Sequence, residues 1–201
     1  MSVSRLYKRE FYKKVYLSLK NENLNSKGID CPCFFLKRKI MIQFYEINPE
    51  YIDYLLPFAP HLFHNKQEHQ SNSGKYIGIV LCVNGLDYFV PLSSFKEKHH
   101  KMQETVDFLK IKTFAVLNLN NMFPVPKSER HYIDMNNIEN QNYRNLLRNE
   151  YRVIKVLSKK ILKNAQIVYS HKIHNGNKTN LCKRCNDFLL LEGKAKEFKN
   201  N

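Results

Sequence analysis

The sequence has no tryptophan, six glycines and seven prolines in 201 residues, and only 18 acidic residues against 33 lysines and arginines. So little glycine and proline excludes a collagen-like or linker-like chain. No run of 18 apolar residues occurs, which excludes an ordinary transmembrane helix. The basic N-terminus is not followed by an apolar stretch and a small-residue cleavage site, so no secretory signal is expected and the reading places the protein in the cytoplasm. The G-x-x-x-x-G-K-[ST] loop, the dinucleotide fingerprint, H-E-x-x-H and G-x-S-x-G are all missing. Their absence removes the commonest NTPase, dehydrogenase, zinc-peptidase and hydrolase designs. The five cysteines, Cys31, Cys33, Cys82, Cys182 and Cys185, are an odd number without a signal sequence, which argues against a disulfide framework.

What is present suffices for a core: 43% of residues are hydrophobic and 12% aromatic. The formal net charge of +15 favours a polyanionic partner, because each phosphate contact releases counterions. Nucleic acid comes first and a membrane surface second, while lysine-rich codon usage gives the same charge with no partner. The charge is uneven. Residues 1–40 hold ten basic and three acidic residues, and residues 5–19 can form a basic amphipathic helix.

From Ile42 the pattern is that of an α+β domain. Ile42 to Ile47 reads as a strand. Asn48-Pro49-Glu50 supplies an N-cap, a first-turn proline and an acid for the dipole, so a short helix follows, ended by Pro57 and Pro60. The polar, histidine-rich stretch from 61 to 75 reads as a loop. Residues 76–83 form a strand, Asn84-Gly85 turns the chain, and Leu86 to Leu92 returns. Further strands are expected near Thr105–Leu109 and Thr113–Leu119, and Phe123-Pro124-Val125-Pro126 breaks the chain. From about Ile138 apolar residues recur at three and four, with a bend or stop near Asn164 and an end at Asn175-Gly176. A last short helix covers Asp187 to Glu197. His171, His174, Cys182 and Cys185 could be written as a zinc set. Their spacing is not a common one, so unliganded thiols are the preferred reading and no metal or cofactor is expected.

The chemistry concentrates where the second hairpin strand ends. Pro91-Leu92-Ser93-Ser94-Phe95-Lys96-Glu97-Lys98-His99-His100 gathers two hydroxyls, ammonium groups and two imidazoles on a rigid exit. Hydroxyl donors beside a lysine suit a phosphate, and a solvated turn of the same composition is the plainer alternative.

The ordered pieces Phe44-Tyr45-x-Ile47, Tyr51-Ile52-x-Tyr54-Leu55, Tyr76-Ile77-Gly78-Ile79-Val80-Leu81 and Tyr88-x-Val90-Pro91-Leu92-Ser93-Ser94-x-Lys96-x-x-His99 resemble the ToxN/AbiQ family. These are the endoribonuclease toxins of type III toxin–antitoxin systems. Cys185-Asn186-Asp187-Phe188-x-x-Leu191-Glu192 is similar to the family's closing motif, and the resemblance covers about residues 41–198. It implies a strongly twisted, mainly antiparallel sheet, a barrel like that of the MazF/Kid toxins, with helices packed around it. It implies metal-independent, sequence-selective RNA cleavage leaving a 2′,3′-cyclic phosphate and a 5′-hydroxyl. The substrates would be cellular or phage mRNA, in keeping with an abortive-infection role. A repeated antitoxin RNA of pseudoknots would inhibit the toxin by joining it in a closed ring. By position, Ser94 takes the family's essential serine, Ser93 its neighbour and Lys96 the active-site lysine. Tyr51 and Tyr45, with Lys75, Lys98 and His99, become candidate RNA contacts. His99 reads equally as a general base or a structural histidine. Gly74 and Gln70 stand where some members have Lys and Tyr.

Family chains begin near the position of Met41. Residues 1–40 are therefore read either as a loosely packed basic extension or, preferentially, as translated from a misassigned start. Codons for Ser26-Lys27-Gly28 and Cys31-Pro32-Cys33 can be complementary, and Phe34-Phe35 can supply the T-tract of a terminator. Residues 41–201 would form the ribonuclease domain. The competing functions are a basic RNA-binding module without catalysis and a membrane-surface protein using the 5–19 helix.

Overall fold

This computed structural model describes residues 42–59, 62 and 75–198. The candidate helix at 5–19, the rest of the 1–40 extension and nearly all of the histidine-rich loop lie outside the described residues. The chain enters the sheet at β1 (Gln43–Ile47). Asn48 then caps α1 (Pro49–Leu55), its side-chain oxygen accepting from the Glu50 amide at 3.0 Å, with Pro49 in the first turn. A 3-10 turn over Leu56–Phe58, which contains Pro57, ends this helix.

The hairpin β2 (Tyr76–Val83) and β3 (Leu86–Ser94) forms as its turn residues predict. Asn84 and Gly85 both take positive φ, 52° and 76°, the twist that matches flanking strands. Beyond β3 come the one-turn helix α2 (Lys98–Lys101), β4 (Phe108–Ile111), β5 (Ala115–Asn118), β6 (Phe123–Val125) and β7 (Arg130–Tyr132). The C-terminal half is helical: α3 (Gln141–Asn175), α4 (Asn180–Lys183) and α5 (Phe188–Phe198).

The sheet runs β4-β5-β3-β2-β1-β7, antiparallel throughout, with β6 attached to β3. β3 is its pivot. One edge pairs with β2; the other is shared, Asp87–Phe89 against β6 and Leu92–Ser94 against β5. The expected closed barrel does not form among the described residues: the path ends at β4 and β7, which do not pair. The outer edge of β3 is divided between β5 and β6, so the sheet forks there instead of continuing round as closure requires. Phe123-Pro124-Val125, expected to break the chain, instead pairs with β3, opposite Phe89, Tyr88 and Asp87. Pro124 is tolerated because β6 pairs along one edge only. The expected bend near Asn164 is also absent, since α3 runs unbroken for 35 residues. One asparagine costs a few tenths of a kcal/mol in a helix. Buried Ile161, Ala165 and Val168 carry the packing face across it. Gly176, at φ 54°, closes α3 by donating its amide to the Lys172 carbonyl at 2.9 Å.

Strand alternation divides the core. Phe44, Ile77 and Val90 lie in cross-strand register on the face covered by α3, where the Phe44 ring sits 6.1 Å from Tyr151. The other face holds Phe89, Tyr76 and Phe123, packed with Tyr51 and Leu55 of α1 and Leu191 and Ala195 of α5. Gly78 is opposite Phe89, and a Cβ there would clash with the edge of the Phe89 ring. Phe89 is fully buried and held by the Tyr45 ring at 5.1 Å, so it has nowhere to go. Gly78→Ala should therefore destabilise the fold by about 1–3 kcal/mol through overpacking, read as a lowered Tm on thermal unfolding. An unchanged Tm would mean that the strands yield more easily than this packing implies.

Candidate active site

The β3 exit is tied down at every backbone step. Ser93 pairs with Val116 and Ser94 with Ala115 of β5, and the Phe95 amide donates to the Phe114 carbonyl at 3.3 Å. The turn then closes on itself. The Lys96 amide donates to Nδ1 of His99 at 2.9 Å, and the His99 amide donates to the Lys96 carbonyl at 2.8 Å. Ser94 and Lys96 are exposed on this fixed backbone and Ser93 is half-buried. Lys98 is exposed on α2. Lys110 of β4, in register with Val116 and through it with Ser93, donates from Nζ to the His100 carbonyl at 3.2 Å. The turn is thus rich in cations.

His99 turns inward from the exit. It is buried, with its ring 5.4 Å from Phe95 and 5.9 Å from Phe108. Because Nδ1 accepts a hydrogen bond from the Lys96 amide, the ring is the neutral Nε2–H tautomer. Burial, and then the ammonium groups of Lys98, Lys96 and Lys110, hold it below the usual histidine range. Its Nδ1 is occupied in holding the Lys96 amide. His99→Leu should leave the Lys96 amide without its acceptor, at a cost of about 1 kcal/mol. It should slow RNA cleavage at saturating RNA. His99→Asn, which can keep an acceptor near the Nδ1 position, should recover much of the rate. Equal rates for the two variants would remove the positioning role.

Lys75 lies one strand away. Its carbonyl accepts from the Leu92 amide at 2.9 Å, and its Nζ sits 3.3 Å from the centre of the Tyr143 ring, in the first turn of α3. Burial pulls its ammonium down to about 8, against the opposing pull of Glu150 and Glu46. The two tyrosine candidates separate from the exit. Tyr51 is fully buried on α1, donates to the Pro124 carbonyl at 2.7 Å and packs on Phe198 at 5.0 Å. Burial drives its hydroxyl far above the usual tyrosine range. Tyr45 is half-buried, edge-on to Phe89 and 6.1 Å from Tyr132. Sequence reasoning missed Tyr143 and Lys110. Only the fold brings them to the exit, although the Asn140 cap announces the helix that carries Tyr143.

The possible zinc residues have other engagements. Cys182 and Cys185 are buried, His171 Nε2 is 2.9 Å from the Thr179 hydroxyl, and His174 Nδ1 is 2.7 Å from the Ser170 carbonyl. Burial, then Cys182, pushes the Cys185 thiol up to about 12. Among the described residues no three His, Cys, Asp or Glu side chains are grouped to hold a metal, and no helix is long and apolar enough to cross a membrane.

An antiparallel sheet whose pivot strand ends in a rigid Ser-Ser-x-Lys turn defines an α+β protein with an exposed basic site suited to phosphate. The chain belongs to the ToxN toxin family of type III toxin–antitoxin systems, whose family model matches residues 43–196. It is 33% identical over 165 residues to Endoribonuclease ToxN of Bacillus thuringiensis subsp. kurstaki, covering 78% of this chain and 84% of that protein. It is 29% identical over 177 residues to Endoribonuclease AbiQ of Lactococcus lactis subsp. lactis, covering 81% and 93%. Among solved structures, a type III toxin described as selectively inhibited by a non-coding RNA pseudoknot superposes with a TM-score of 0.69 at 30% identity, over 81% of this chain and all of that one. The lactococcal anti-phage endoribonuclease AbiQ gives a TM-score of 0.69 at 25% identity, with the same coverage.

Proposed function

We propose that this protein cuts RNA by transesterification at the β3 exit, as the toxin of a type III toxin–antitoxin system. With relatives that are endoribonucleases across most of its length, the chain is an endoribonuclease; the proposal concerns where and how it cuts. The observation that carries it is the reciprocal Lys96–His99 clasp, which fixes an exposed lysine two residues beyond an exposed serine.

In this reading the substrate's own 2′-oxygen attacks the adjacent phosphorus. The O2′–P bond forms and the P–O5′ bond breaks. The 2′ proton is lost and the leaving 5′-oxygen gains one, so the products are a 2′,3′-cyclic phosphate and a 5′-hydroxyl. The protein's task is to align the attack and to meet the charge that grows on the phosphoryl oxygens. Ser94 donates to a phosphate oxygen or orients the 2′-hydroxyl. Lys96 neutralises the developing charge, so the reaction needs no metal ion. Ser93, which strand alternation turns to the opposite side, takes no part at the scissile phosphate. Lys75 and Lys98 meet flanking phosphates. Tyr51 and Tyr45 are committed to packing and have no substrate role here.

A folded antitoxin RNA of pseudoknot repeats, closing into a ring with the toxin, is the inhibitor in this account. Cellular or phage mRNA is the substrate. The pseudoknot described for one structural neighbour and the anti-phage role described for AbiQ support this part of the reading.

Incubating the full chain with RNA in excess chelator and mapping the ends tests the chemistry. Cuts with 5′-hydroxyl and cyclic-phosphate ends are expected. Ends bearing 5′-phosphate, or cutting only after a divalent ion is added, would contradict it. RNA bound but left intact would make the protein a non-catalytic RNA-binding module.

The Lys75 environment adds a pH prediction. As pH rises through about 8 this lysine loses its charge, so affinity for a short RNA should fall across that range. Lys75→Arg should flatten the fall, because guanidinium stays charged. An unchanged pH profile in Lys75→Arg would place Lys75 outside the RNA path.

A further inference from the structure

The long helix α3 carries a second cationic feature that the cleavage site does not use. Arg144, Arg148, Arg152, Lys155, Lys159 and Lys163 follow one another at spacings of four, four, three, four and four residues. That spacing lines them along one face of the helix, over about 28 Å at 1.5 Å per residue. Five of the six are exposed and Arg144 is half-buried. The packing stripe of Leu147, Ile154, Ile161, Ala165 and Val168 occupies a different face. The only acidic residue of α3, Glu150, is buried.

Several cations elsewhere have a carboxylate partner. Arg130 bonds Asp87 at 2.8 Å, Arg184 bonds Asp107 at 2.7 Å, and Lys160, just off the stripe, bonds Glu104 at 2.8 Å. Along the stripe no carboxylate among the described residues makes such a pair. Arg144 reaches Gln141, Arg148 reaches Asn136 and Arg152 reaches Asn149, all neutral amides. Like charges at four-residue spacing weaken a helix by a few tenths of a kcal/mol each. The stripe therefore carries a cost in stability that a bound polyanion would offset.

The chemistry of the stripe chooses among polyanions. The tyrosines of α3 are used elsewhere: Tyr143 lies under Lys75, Tyr151 against Phe44, and Tyr169 stacks on Phe188 at 5.5 Å. The stripe thus has no ring on which a base could stack, and it reads phosphates alone. A straight, rigid row suits the regular backbone of a double-helical stem better than a flexible single strand. A lipid surface fits poorly, because the apolar face that would enter it is already buried in the domain. Val156, 83% exposed, is an isolated apolar side chain on the track.

We propose that this outer face of α3 is a second RNA-binding surface, which grips the double-helical part of a folded RNA by its phosphates. The inference rests on the reading of the protein as an RNA-directed toxin. It adds that folded and single-stranded RNA are held by different residues. The track starts one residue beyond Tyr143, whose ring carries Lys75, and runs on along the helix from there. One RNA can therefore lay its stem on α3 while a single-stranded end reaches the β3 exit.

The test compares the full chain with a variant carrying Arg148→Gln, Arg152→Gln, Lys155→Gln and Lys159→Gln, since glutamine preserves helix propensity. The probes are a 2′-O-methyl RNA hairpin with a stem longer than the track and a short unstructured RNA. Hairpin affinity should fall about 10- to 100-fold at physiological salt, and the slope of log affinity against log salt should flatten by roughly three. Cleavage of the short RNA should stay within about twofold, and Tm should hold or rise as repulsion is relieved. Unchanged hairpin affinity and slope would overturn the proposal. So would an equal loss in short-RNA cleavage, which would merge the stripe with the catalytic groove. Binding to phosphatidylserine vesicles without binding to the hairpin would replace RNA by a membrane. If the wild-type chain cuts nothing, the cleavage reading fails while the hairpin measurements still decide the stripe.

Discussion

Lys96→Gln should slow RNA cleavage by about 10²- to 10³-fold with little change in Tm, the loss typical of removing one group that meets transition-state charge. The side chain is exposed, so no core contact goes with it, and the turn is held by the backbone amide and carbonyl of residue 96. The variant keeps both of those groups. Charge is lost and structure is not, so the effect should fall on the rate of the bound complex more than on RNA affinity. Lys96→Arg keeps the charge but spreads it over a larger planar group, and should recover part of the rate. A variant that binds RNA less tightly but cuts bound RNA at the wild-type rate would reduce Lys96 to a binding residue.

The second large effect concerns the fold. Glu192→Ala should destabilise the protein by about 3–5 kcal/mol, a large part of a typical domain's stability. Glu192 is buried on α5 and accepts from three directions. Tyr88 of β3 and Tyr169 of α3 each donate to Oε1 at 2.7 Å, and Asn84 of the hairpin turn donates to Oε2 at 2.9 Å. Burial, and then the carboxylate itself, push the Tyr88 hydroxyl far above its usual range, so it remains a donor at every working pH. Without the carboxylate two tyrosine hydroxyls lose their acceptor, at about 1–3 kcal/mol each, and a cavity is left beside them. Thermal unfolding should show Tm lower by roughly 10 °C, at 2–4 °C per kcal/mol for a chain of this size. Glu192→Gln keeps one acceptor oxygen and should lose less. A shift of only a degree or two in Glu192→Ala would show that water or neighbouring groups replace the carboxylate.

Where local chemistry decides structure, the sequence was readable. Asn84-Gly85 forces its turn because both positions need positive φ, and Asn48-Pro49-Glu50 starts its helix because cap, proline and acid agree. β6 and β7 were not readable. Three residues become a strand only when a partner edge is waiting, and Pro124 hides the first of them. Asn164 misleads because burial of its neighbours outweighs its own weak preference. The site divides in the same way. Ser94 and Lys96 are two residues apart at the end of a strand, so the exit brings them to one side, while Ser93 turns to the other. The bond from the Lys96 amide to His99 needs the α2 turn to form, and the meeting of Lys75 with Tyr143 needs α3 to cross the sheet. Tyr51 shows the converse: an aromatic in a matching position can still be core. The α3 stripe is visible at spacings of three and four, but its want of acidic partners among the described residues is a property of the folded chain.

The central claim is that RNA is cut at the β3 exit. Its most direct test is single-turnover cleavage of one short RNA by the full chain and by Ser94→Ala, with Tm recorded for both. Ser94 is exposed at the end of β3, so the two proteins should melt together. The account predicts that wild type cuts and leaves 5′-hydroxyl ends, while Ser94→Ala binds the RNA and cuts it at least about 100-fold more slowly. Equal cutting at the same positions by both proteins would contradict it and move the chemistry elsewhere on the molecule.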